Sequence, residues 1–402
     1  MTRRAQQFQD LARASGCVRE VMAMPNAVLT EEEQSFALNV RSFLHSHVLP
    51  EADAAEERGY LPSVVWQSLA EHGFLELPRE GEGFLKSAVF LEELGGLGYA
   101  GLRAAIGVHA YMASAYVAWF GDDEQRRRYL PGVGRGETIA ALAITEEHAG
   151  SDLSQLQCQA RATDDGFVVE GRKRYVANGS QASLIVMLVG SSAARHPLGG
   201  SSMLLVDANS PGITRSPQAL LGWRSADVCD LDFQQVKVSR HDVLGRVGKG
   251  FTYLMRGLDF ERLVAGFLAL GGATHSIRVL SRFLGQRRVK GAPLSTYQSV
   301  RHRLADLISE QRMLRCFAYQ LAQQYGAGHI ETRDACILKL RSTELAKEAA
   351  LACVQYHGAQ GYLRDSVVSR LCRDAMAGTI AGGASEVMRD MISSSAAPGE
   401  VL

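Results

Sequence analysis

The spacing of apolar residues predicts helices throughout the first third of the chain. Between residues 31 and 48, apolar side chains recur about every 3.6 positions, the pattern of a helix with one buried face. Thr30 and Glu33 open this stretch as a capping box, in which each side chain accepts a hydrogen bond from the other's backbone N–H. Similar patterns predict helices at residues 63–72, 84–94 and 103–120. Residues 122–129 and a turn at Pro131 and Gly132 close the region.

The pattern changes near residue 140. Short β-branched or alternating runs occupy residues 166–171, 182–189, 202–206 and 228–238, and clusters of Gly, Asn, Asp, Ser and Pro separate them. Alternation places successive side chains on opposite faces of a sheet, so these runs predict strands. The region is therefore predicted to be a central antiparallel β domain.

Helical spacing returns after Gly250 and predicts long helices at 251–284, 297–325, 331–356 and 366–393. Helices of this length with short connections are typical of an antiparallel four-helix bundle. The predicted fold class is α+β. The predicted domains are a loosely ordered leader at 1–28, an N-terminal helical domain at 29–139, a β domain at 140–246, a C-terminal four-helix domain at 247–394 and a tail at 395–402.

Composition and charge narrow the function classes. Of the 402 residues, 46% are apolar and 21% are charged, the balance of a folded globular protein. No uninterrupted apolar run reaches 18 residues, so no membrane-spanning segment is predicted. Lys plus Arg and Asp plus Glu number 43 each. The chain therefore has no overall basic field that would hold nucleic acid or an anionic membrane.

The cysteines indicate a reducing compartment. The seven are scattered without a C-x-x-C pair, which fits free thiols better than disulfides or a zinc site. The arginine-rich first 19 residues lack the apolar core of a secretory signal peptide, and Asp10 weighs against the alternative of a mitochondrial presequence. The predicted location is cytoplasmic.

One carboxylate interrupts an apolar helix face. Leu254, Leu258, Glu261, Ala265 and Leu268 follow spacings of 4, 3, 4 and 3, so they share one side of the predicted helix. A carboxylate facing a core loses hydration and its pKa rises, which suits a general base near neutral pH. The pattern alone leaves open that Glu261 pairs with a neighbouring arginine or reaches the surface.

Two loops rich in glycine and hydroxyl groups, at residues 145–152 and 175–180, flank the start of the β region. Their backbone N–H groups could hold a polar heterocycle or a phosphate, although each could also be an ordinary turn. A G-x-G-x-x-G motif at 96–101 follows a predicted helix instead of a strand, which indicates a helix end. No histidine and carboxylate cluster has metal-ligand spacing, no serine-hydrolase motif occurs, and His148 is predicted to be a polar loop residue.

Taken together, the motifs resemble those of the acyl-CoA dehydrogenase family, in the family's order and over nearly the whole chain. They are Ile144-Thr-Glu-Glu-His-Ala-Gly-Ser-Asp152, Tyr175-Val-Ala-Asn-Gly179, Leu221-Gly-Trp-Arg224, Leu258-Asp-Phe-Glu-Arg262, Gln298-Ser-Val with Leu304-Ala-Asp306, Gln355-Tyr-His-Gly-Ala-Gln-Gly-Tyr362 and Arg373-Asp374. The family's fold is also a helical domain, a β domain and a four-helix bundle.

The resemblance implies that FAD lies between the β domain and the C-terminal bundle. Arg287 and Gln355 would complete the FAD site of a neighbouring subunit, which implies a homodimer or homotetramer. The implied cofactor-binding residues are Leu142, Ile144, Thr145, Gly150, Ser151, Tyr175, Ala177, Arg287, Gln298, Gln355, Ala384 and Glu386.

The implied catalytic base departs from the family's usual position. The usual glutamate falls on Gly382, where no carboxylate is available. One branch of the family, including isovaleryl-CoA and long-chain acyl-CoA dehydrogenases, carries its base in the helix that contains Glu261. The resemblance therefore favours Glu261 as the base and the backbone N–H of Gly382 as the group that stabilises the enolate oxygen.

The implied reaction removes the α-proton of an acyl thioester while the β-hydride passes to flavin N5, leaving a 2,3-enoyl thioester. Ser151, Arg262 and Ala381 would contact the substrate, and an electron-transferring flavoprotein would reoxidise the flavin. Small residues at Ala381 and Ala384 predict a branched, cyclic or otherwise bulky acyl group.

Three readings stay open beside acyl-CoA dehydrogenation. The thioester could be carried by an acyl carrier protein, the chemistry could be that of a flavin monooxygenase or oxidase, or the chain could bind flavin without catalysis. Ala177 and Lys290 replace a threonine and a phenylalanine that usually contact the flavin, so the flavin potential is expected to differ.

Overall fold

The computed structural model describes residues 28–191 and 198–394. It confirms the predicted order of a helical region, a central sheet and a second helical region. The predicted leader and tail lie outside the described residues, apart from Val28. The predicted domain boundaries stay predictions; the first strand begins at Ala140, and the long helix after the sheet begins at Gly250.

The N-terminal region is helical over its described length. Its helices are α1 (Glu31–Phe43), α2 (Leu49–Arg58), α3 (Ser63–Glu71), α4 (Phe84–Gly95), α5 (Ala100–Gly107), α6 (Ser114–Phe120) and α7 (Asp123–Gly134). The π-helical turns Leu44–Val48 and Val108–Ala113 join α1 to α2 and α5 to α6. The helix predicted at 103–120 is thus α5 and α6 with a π-helical turn between them.

The capping box predicted for α1 is confirmed. The N–H of Thr30 donates to the carboxylate of Glu33 at 2.7 Å, and the N–H of Glu33 donates to the hydroxyl of Thr30 at 3.3 Å. The turn predicted at Pro131 is wrong, because this residue lies inside α7. Proline lacks an N–H to donate but keeps its carbonyl as an acceptor. The helix continues past it, and the N–H of Arg135 donates to the Pro131 carbonyl at 3.1 Å.

The glycine-rich motif at 96–101 ends a helix, as predicted. Helix α4 finishes at Gly95, and Gly98 has a φ of +78°, a left-handed conformation that favours glycine. The motif therefore lacks the preceding strand that a dinucleotide-binding turn needs.

The central region forms a sheet that has eight strands within the described residues. The strands are β1 (Ala140–Ala143), β2 (Gln159–Ala162), β3 (Gly166–Val176), β4 (Leu184–Ser191), β5 (Ser202–Asp207), β6 (Ile213–Pro217), β7 (Cys229–Ser239) and β8 (Val243–Leu244). Their order is β6-β7-β3-β2-β4-β5-β8, and β1 pairs with β4.

The sheet is mixed, which corrects the prediction of a purely antiparallel domain. Both β1 and β2 run parallel to β4, one after the other: Ala140 lies opposite Leu184, and Gln159 lies opposite Gly190. Between them the chain leaves the sheet and returns to it in the same direction. Strand β4 is buried along nearly its whole length, as is typical of a strand with parallel neighbours. Alternation indicates a strand but not the direction of its partner, so the sequence did not predict this.

The C-terminal region consists of α8 (Gly250–Gln286), a small hairpin of β9 (Arg288–Val289) and β10 (Ala292–Pro293), α9 (Gln298–Gly326), α10 (Thr332–His357), α11 (Val367–Gly378) and α12 (Ser385–Ser394). The prediction of a single helix at 366–393 is wrong, because a turn interrupts the helix between α11 and α12. Gly382 and Gly383 have φ values of +65° and +99°, which a right-handed helix cannot contain.

Helix α8 is the centre of the molecule. Its buried side chains include Phe260, Phe267 and Leu270, and they join the main core with residues of α4, α9 and α10. Among the described residues, α8 is the one helix long and apolar enough to cross a membrane, but 72% of its apolar stretch is buried inside the protein. The apolar character of α8 is therefore explained by its burial in the protein core.

Glycines set how closely α8 approaches α4. A Cβ at Gly271 would overlap the carbonyl oxygen of Glu92, and one at Gly95 would overlap the carbonyl oxygen of Leu268. The two helix backbones are therefore in direct contact at this crossing, which no larger residue permits.

A buried aspartate ties the three regions together. Asp374 of α11 accepts hydrogen bonds from the N–H of Trp223 at 2.9 Å and from the N–H of Ala100 at 3.1 Å. Its own carbonyl accepts from the indole N–H of Trp223 at 2.9 Å. Two of the sequence motifs, at 221–224 and 373–374, thus meet at one junction.

We expect Gly271→Ala to lower the free energy of unfolding by roughly 1–3 kcal/mol, because the added methyl group has no space at the α4 crossing. The matched control is Gly285→Ala in the same helix, where a Cβ meets nothing within 4 Å. That control should be neutral or stabilise by up to ~1 kcal/mol. Urea unfolding of both variants beside the wild type measures the difference, and equal stability of the two variants would contradict the close crossing.

Candidate active site

The two predicted loops lie side by side at one end of the sheet. The N–H of Arg174 donates to the carbonyl of Thr145 at 2.8 Å, which joins β3 to the segment that protrudes between β1 and β2. The ammonium of Lys173 donates to the carbonyl of Ile144 at 3.0 Å and to the carboxylate of Glu146 at 2.6 Å. Both side chains of this ion pair are buried. Charge-assisted hydrogen bonds from the buried Lys173 therefore fix the first loop to strand β3.

The second loop presents an exposed aromatic ring. Tyr175 has a φ of +57° and its side chain is 57% exposed. The following turn is rigid, because the buried amide of Asn178 donates to the carbonyls of Ala105 at 2.9 Å and Ala140 at 3.2 Å. Asp227 fixes the end of the turn by accepting from the hydroxyl and N–H of Ser180.

The remaining residues predicted on these loops and on strand β1 differ in their exposure. Leu142 and Ile144 are partly buried, and they pack in one cluster with Leu254 and Leu258 of α8. Gly150 and Ser151 are exposed, and Ala177 is partly buried. Strand β1 and the start of α8 are thus brought together, although more than one hundred residues separate them in the chain. His148 is exposed in its loop, as predicted.

Glu261 lies on α8 with its side chain partly buried beside this cluster. Its carboxylate accepts a hydrogen bond from the hydroxyl of Tyr116 at 2.6 Å. Burial raises the pKa of Glu261 to about 7, and the bond from Tyr116 and the charge of Arg262 act in the opposite direction. The carboxylate therefore titrates near neutral pH, as expected from its position on the apolar face of the helix.

Arg262 does not neutralise Glu261. Its guanidinium pairs with Asp259 at 2.7 Å and reaches the sulfur of Met391 on α12 at 3.3 Å. The side chain is buried, so its predicted contact with substrate stays a prediction.

The turn between α11 and α12 is held close to α10. The ammonium of the buried Lys339 donates to the carbonyl of Gly383. Burial and the nearby charge of Arg262 lower the pKa of Lys339 to about 8. Ala381, Gly382 and Glu386 are exposed and Ala384 is partly buried.

The turn presents a free donor. The N–H of Gly382 has no hydrogen-bond partner among the described residues. A Cβ at this position would meet no atom within 4 Å. Because Gly382 is exposed, its N–H is available to an anionic oxygen.

The free polar groups fit a flat polar heterocycle such as the flavin of FAD. The hydroxyls of Thr145 and Ser151 find no partner within residues 28–191 and 198–394. Thr145 is bonded through its carbonyl to the N–H of Arg174, the residue before the exposed Tyr175, and it follows Ile144 of the apolar cluster. Hydroxyl donors beside an apolar wall and an aromatic ring are the surroundings that a bound ring system with polar edges requires.

The other predicted cofactor residues lie far from Glu261. Arg287 follows α8 directly, 26 residues after Glu261, so about 39 Å of helix separates them. Gln355 is near the same end, where His357 stacks on Phe283 with ring centroids 3.7 Å apart. Gln298 is exposed at the start of α9, and Lys290 is exposed in the β9–β10 turn with a φ of +51°.

Several residues of the site were missed by the sequence reasoning. Glu146 and Lys173 form the buried pair under the first loop, Asp227 closes the second loop, and Tyr116 contacts Glu261. Glu146 lies within a quoted motif, but nothing in the sequence connects it to Lys173. The described residues contain no group of histidine, cysteine and carboxylate side chains that could hold a metal ion.

Comparison with known proteins shows what the chain is similar to. Models of the acyl-CoA dehydrogenase N-terminal, middle and C-terminal domains match residues 30–137, 141–236 and 248–397. The chain is 29% identical over 394 residues to the mitochondrial isovaleryl-CoA dehydrogenase of Oryza sativa subsp. japonica, covering 95% of both chains.

Solved structures give the same result. An acyl-CoA dehydrogenase from Geobacillus kaustophilus matches with a TM-score of 0.86 and 33% identity, over 91% of this chain and 98% of that one. The prolyl acyl carrier protein oxidase AnaB matches with a TM-score of 0.83 and 26% identity, over 91% of this chain and 99% of that one.

We expect Glu261→Gln to stabilise the protein at alkaline pH. The pKa of Glu261 is raised from 4.5 to about 7, so between these values the folded state binds more protons than the unfolded chain, and stability falls as the pH rises. The amide still accepts the Tyr116 bond without an ionisation cost. At pH 8 the variant should gain roughly 1–3 kcal/mol, and below pH 4.5 the gain should vanish. Urea unfolding at both pH values measures this; an equal gain at both would contradict the raised pKa.

Proposed function

The chain belongs to the acyl-CoA dehydrogenase family, and from that premise we propose that Glu261 is the base that removes the α-proton of a branched or otherwise bulky acyl thioester. The family consists of FAD-dependent oxidoreductases. The observation that carries the proposal is a carboxylate with a pKa of about 7 on a helix face that the protein otherwise keeps apolar.

The proposed roles follow from the groups that are free to act. Glu261 accepts the α-proton, because a carboxylate with a pKa near neutrality is ionised in part and basic enough to take it. The free N–H of Gly382 donates to the thioester carbonyl oxygen as negative charge develops there. When bound, FAD supplies the acceptor for the β-hydride. The apolar side chains of β1 and α8 exclude water from the reacting atoms.

The open turn supports a bulky acyl group. Ala381, Gly382 and Ala384 replace larger side chains with small ones, and a Cβ at Gly382 would still meet no atom within 4 Å. In the proposed site this space borders the acyl group, where it would admit branches or rings that a filled pocket would reject.

We further propose that a second copy of the chain completes each FAD site, in a homodimer or homotetramer. The separation of about 39 Å along α8 supports this, because Arg287 cannot reach the cofactor beside Glu261 in its own subunit. Tyr362, 86% exposed, and Leu363 add apolar surface that a partner would cover.

An electron-transferring flavoprotein as electron acceptor and a cytoplasmic location complete the proposal. Family membership supports this acceptor. The location is supported by the cysteines, since the six within the described residues form no disulfide.

The first test is anaerobic titration of the flavin-loaded protein with isovaleryl-CoA and bulkier acyl-CoA esters. We expect bleaching of the oxidised flavin band by the wild type, and a rate at least 1,000-fold lower for Glu261→Gln, since the amide cannot accept the proton. Glu124→Gln, at an exposed position on α7, is the control and should behave as the wild type. Unchanged bleaching by Glu261→Gln would contradict the assignment of the base.

The second test compares acyl groups. We expect kcat/KM for isovaleryl-CoA or a bulkier ester to exceed that for butyryl-CoA by about tenfold or more, the discrimination that a methylene-scale difference in fit provides. Steady-state assays with an artificial electron acceptor measure the series. Butyryl-CoA as the best substrate would refute the proposal of a bulky acyl group.

The similarity to the prolyl acyl carrier protein oxidase AnaB favours a second candidate, the same chemistry on a carrier-bound thioester. Both carriers present a phosphopantetheine arm, so the base and the turn would serve either. If acyl-carrier-protein thioesters bleach the flavin and the matching CoA esters do not, the second candidate replaces the first. Hydrogen peroxide formed in air at the rate of substrate turnover would assign an oxidase.

A further inference from the structure

Tyr116 contacts the proposed base from a different region of the chain. It lies on α6 and is fully buried, and its hydroxyl is 2.6 Å from the carboxylate of Glu261. The other acceptor within reach is the carbonyl of Leu254, at 3.5 Å. The single hydroxyl proton therefore goes to the carboxylate, which is both nearer and charged.

A glycine makes the contact sterically possible. Gly257 lies one turn before Glu261 on α8, and a Cβ at this position would overlap the hydroxyl and the ring of Tyr116. Glycine within a helix is unfavourable relative to alanine. Its presence here gives the tyrosine ring the space in which to meet Glu261.

Few other groups act on this carboxylate. Among the described residues, the charged or titratable side chains that influence Glu261 are Tyr116 from α6 and Arg262 on its own helix. Arg262 is already paired with Asp259. Strand β1 and the residue after it, which also pack here, contribute the apolar side chains Leu142 and Ile144. Tyr116 is therefore the one direct hydrogen-bond donor to the carboxylate in the described part of the chain.

We propose that Tyr116 is a positioning residue, which holds the Glu261 carboxylate in one orientation and favours its ionised form through the hydroxyl hydrogen bond. The proposal rests on the proposed function of Glu261 as the base. A bond to one carboxylate oxygen leaves the second free to approach the substrate. It also opposes the effect of burial, which on its own would favour the neutral acid.

The Tyr116 hydroxyl also has a second acceptor when Glu261 is protonated. Once Glu261 has taken a proton, it no longer attracts the tyrosine hydroxyl as strongly. The Leu254 carbonyl at 3.5 Å is then an alternative acceptor, so the buried hydroxyl keeps a partner throughout the reaction.

The test is the pH dependence of flavin reduction by substrate in Tyr116→Phe. Loss of the bond should move the acidic limb of the rate profile upward by about one pH unit. The rate at pH 6 should then fall about tenfold and largely recover at pH 9. A profile that superimposes on that of the wild type would overturn the proposal.

Tyr319→Phe is the matched control. The hydroxyl of Tyr319 also donates to a buried glutamate, Glu92, at 2.6 Å. That pair lies beside Gly271, about 15 Å along α8 from Glu261. The control should lose stability through a lost buried hydrogen bond and leave the pH profile unchanged, whereas an equal shift in both variants would indicate a general structural effect and refute a specific role for Tyr116.

A second variant and a spectroscopic measurement separate this proposal from the proposed function. Gly257→Ala keeps the tyrosine but displaces its ring, so it should reproduce the shift of Tyr116→Phe. Infrared titration of the flavin-loaded protein identifies protonated Glu261 as the carbonyl band missing from Glu261→Gln. A higher titration midpoint for Glu261 in Tyr116→Phe supports the contact, even if Glu261→Gln remains active. An unchanged midpoint refutes the contact, whichever residue is the base.

Discussion

The burial of helix α8 against all three regions is the constraint on which the rest of the structure depends. Its apolar side chains join the main core with α4, α9 and α10, and its first turns pack on the sheet. Each large side chain buried in this way contributes about 1.5–3 kcal/mol. Glycines within the helix cost roughly 0.5–1 kcal/mol each relative to alanine. The stabilisation from packing exceeds the cost of a glycine where the glycine leaves room for a helix backbone or an aromatic ring. Gly271 leaves room for α4, and Gly257 leaves room for Tyr116.

The same burial raises the pKa of Glu261. A carboxylate in a largely apolar surrounding resists ionisation, and its pKa of about 7 is the result. This arrangement lowers stability above neutral pH, which is the common relation between a functional group and the fold that carries it. The hydroxyl of Tyr116 orients the carboxylate, whose electrostatic surroundings the core helix establishes.

Buried charges elsewhere hold loops in place. The Lys173 and Glu146 pair fixes the segment that leaves the sheet between β1 and β2, and Asp374 joins the motif loops to the start of α5. Such pairs add little net stability compared with apolar replacements, but removing one partner is costly. Their value here is geometric, because the first pair holds the segment around Ile144 against β3 and Asp374 holds Trp223 against the start of α5.

Local patterns in the sequence determined the elements and much of the chemistry. The helical spacing, the capping box at Thr30 and the carboxylate in the apolar stripe of α8 all follow from interactions between residues close in the chain. The order of motifs identified the family. Only the tertiary structure decided that β1 and β2 run parallel to β4, that Lys173 lies under Glu146, and that Tyr116 reaches Glu261 across 145 residues. Periodicity shows which face of an element is buried, but what covers that face depends on how distant elements pack, and no local pattern contains that information.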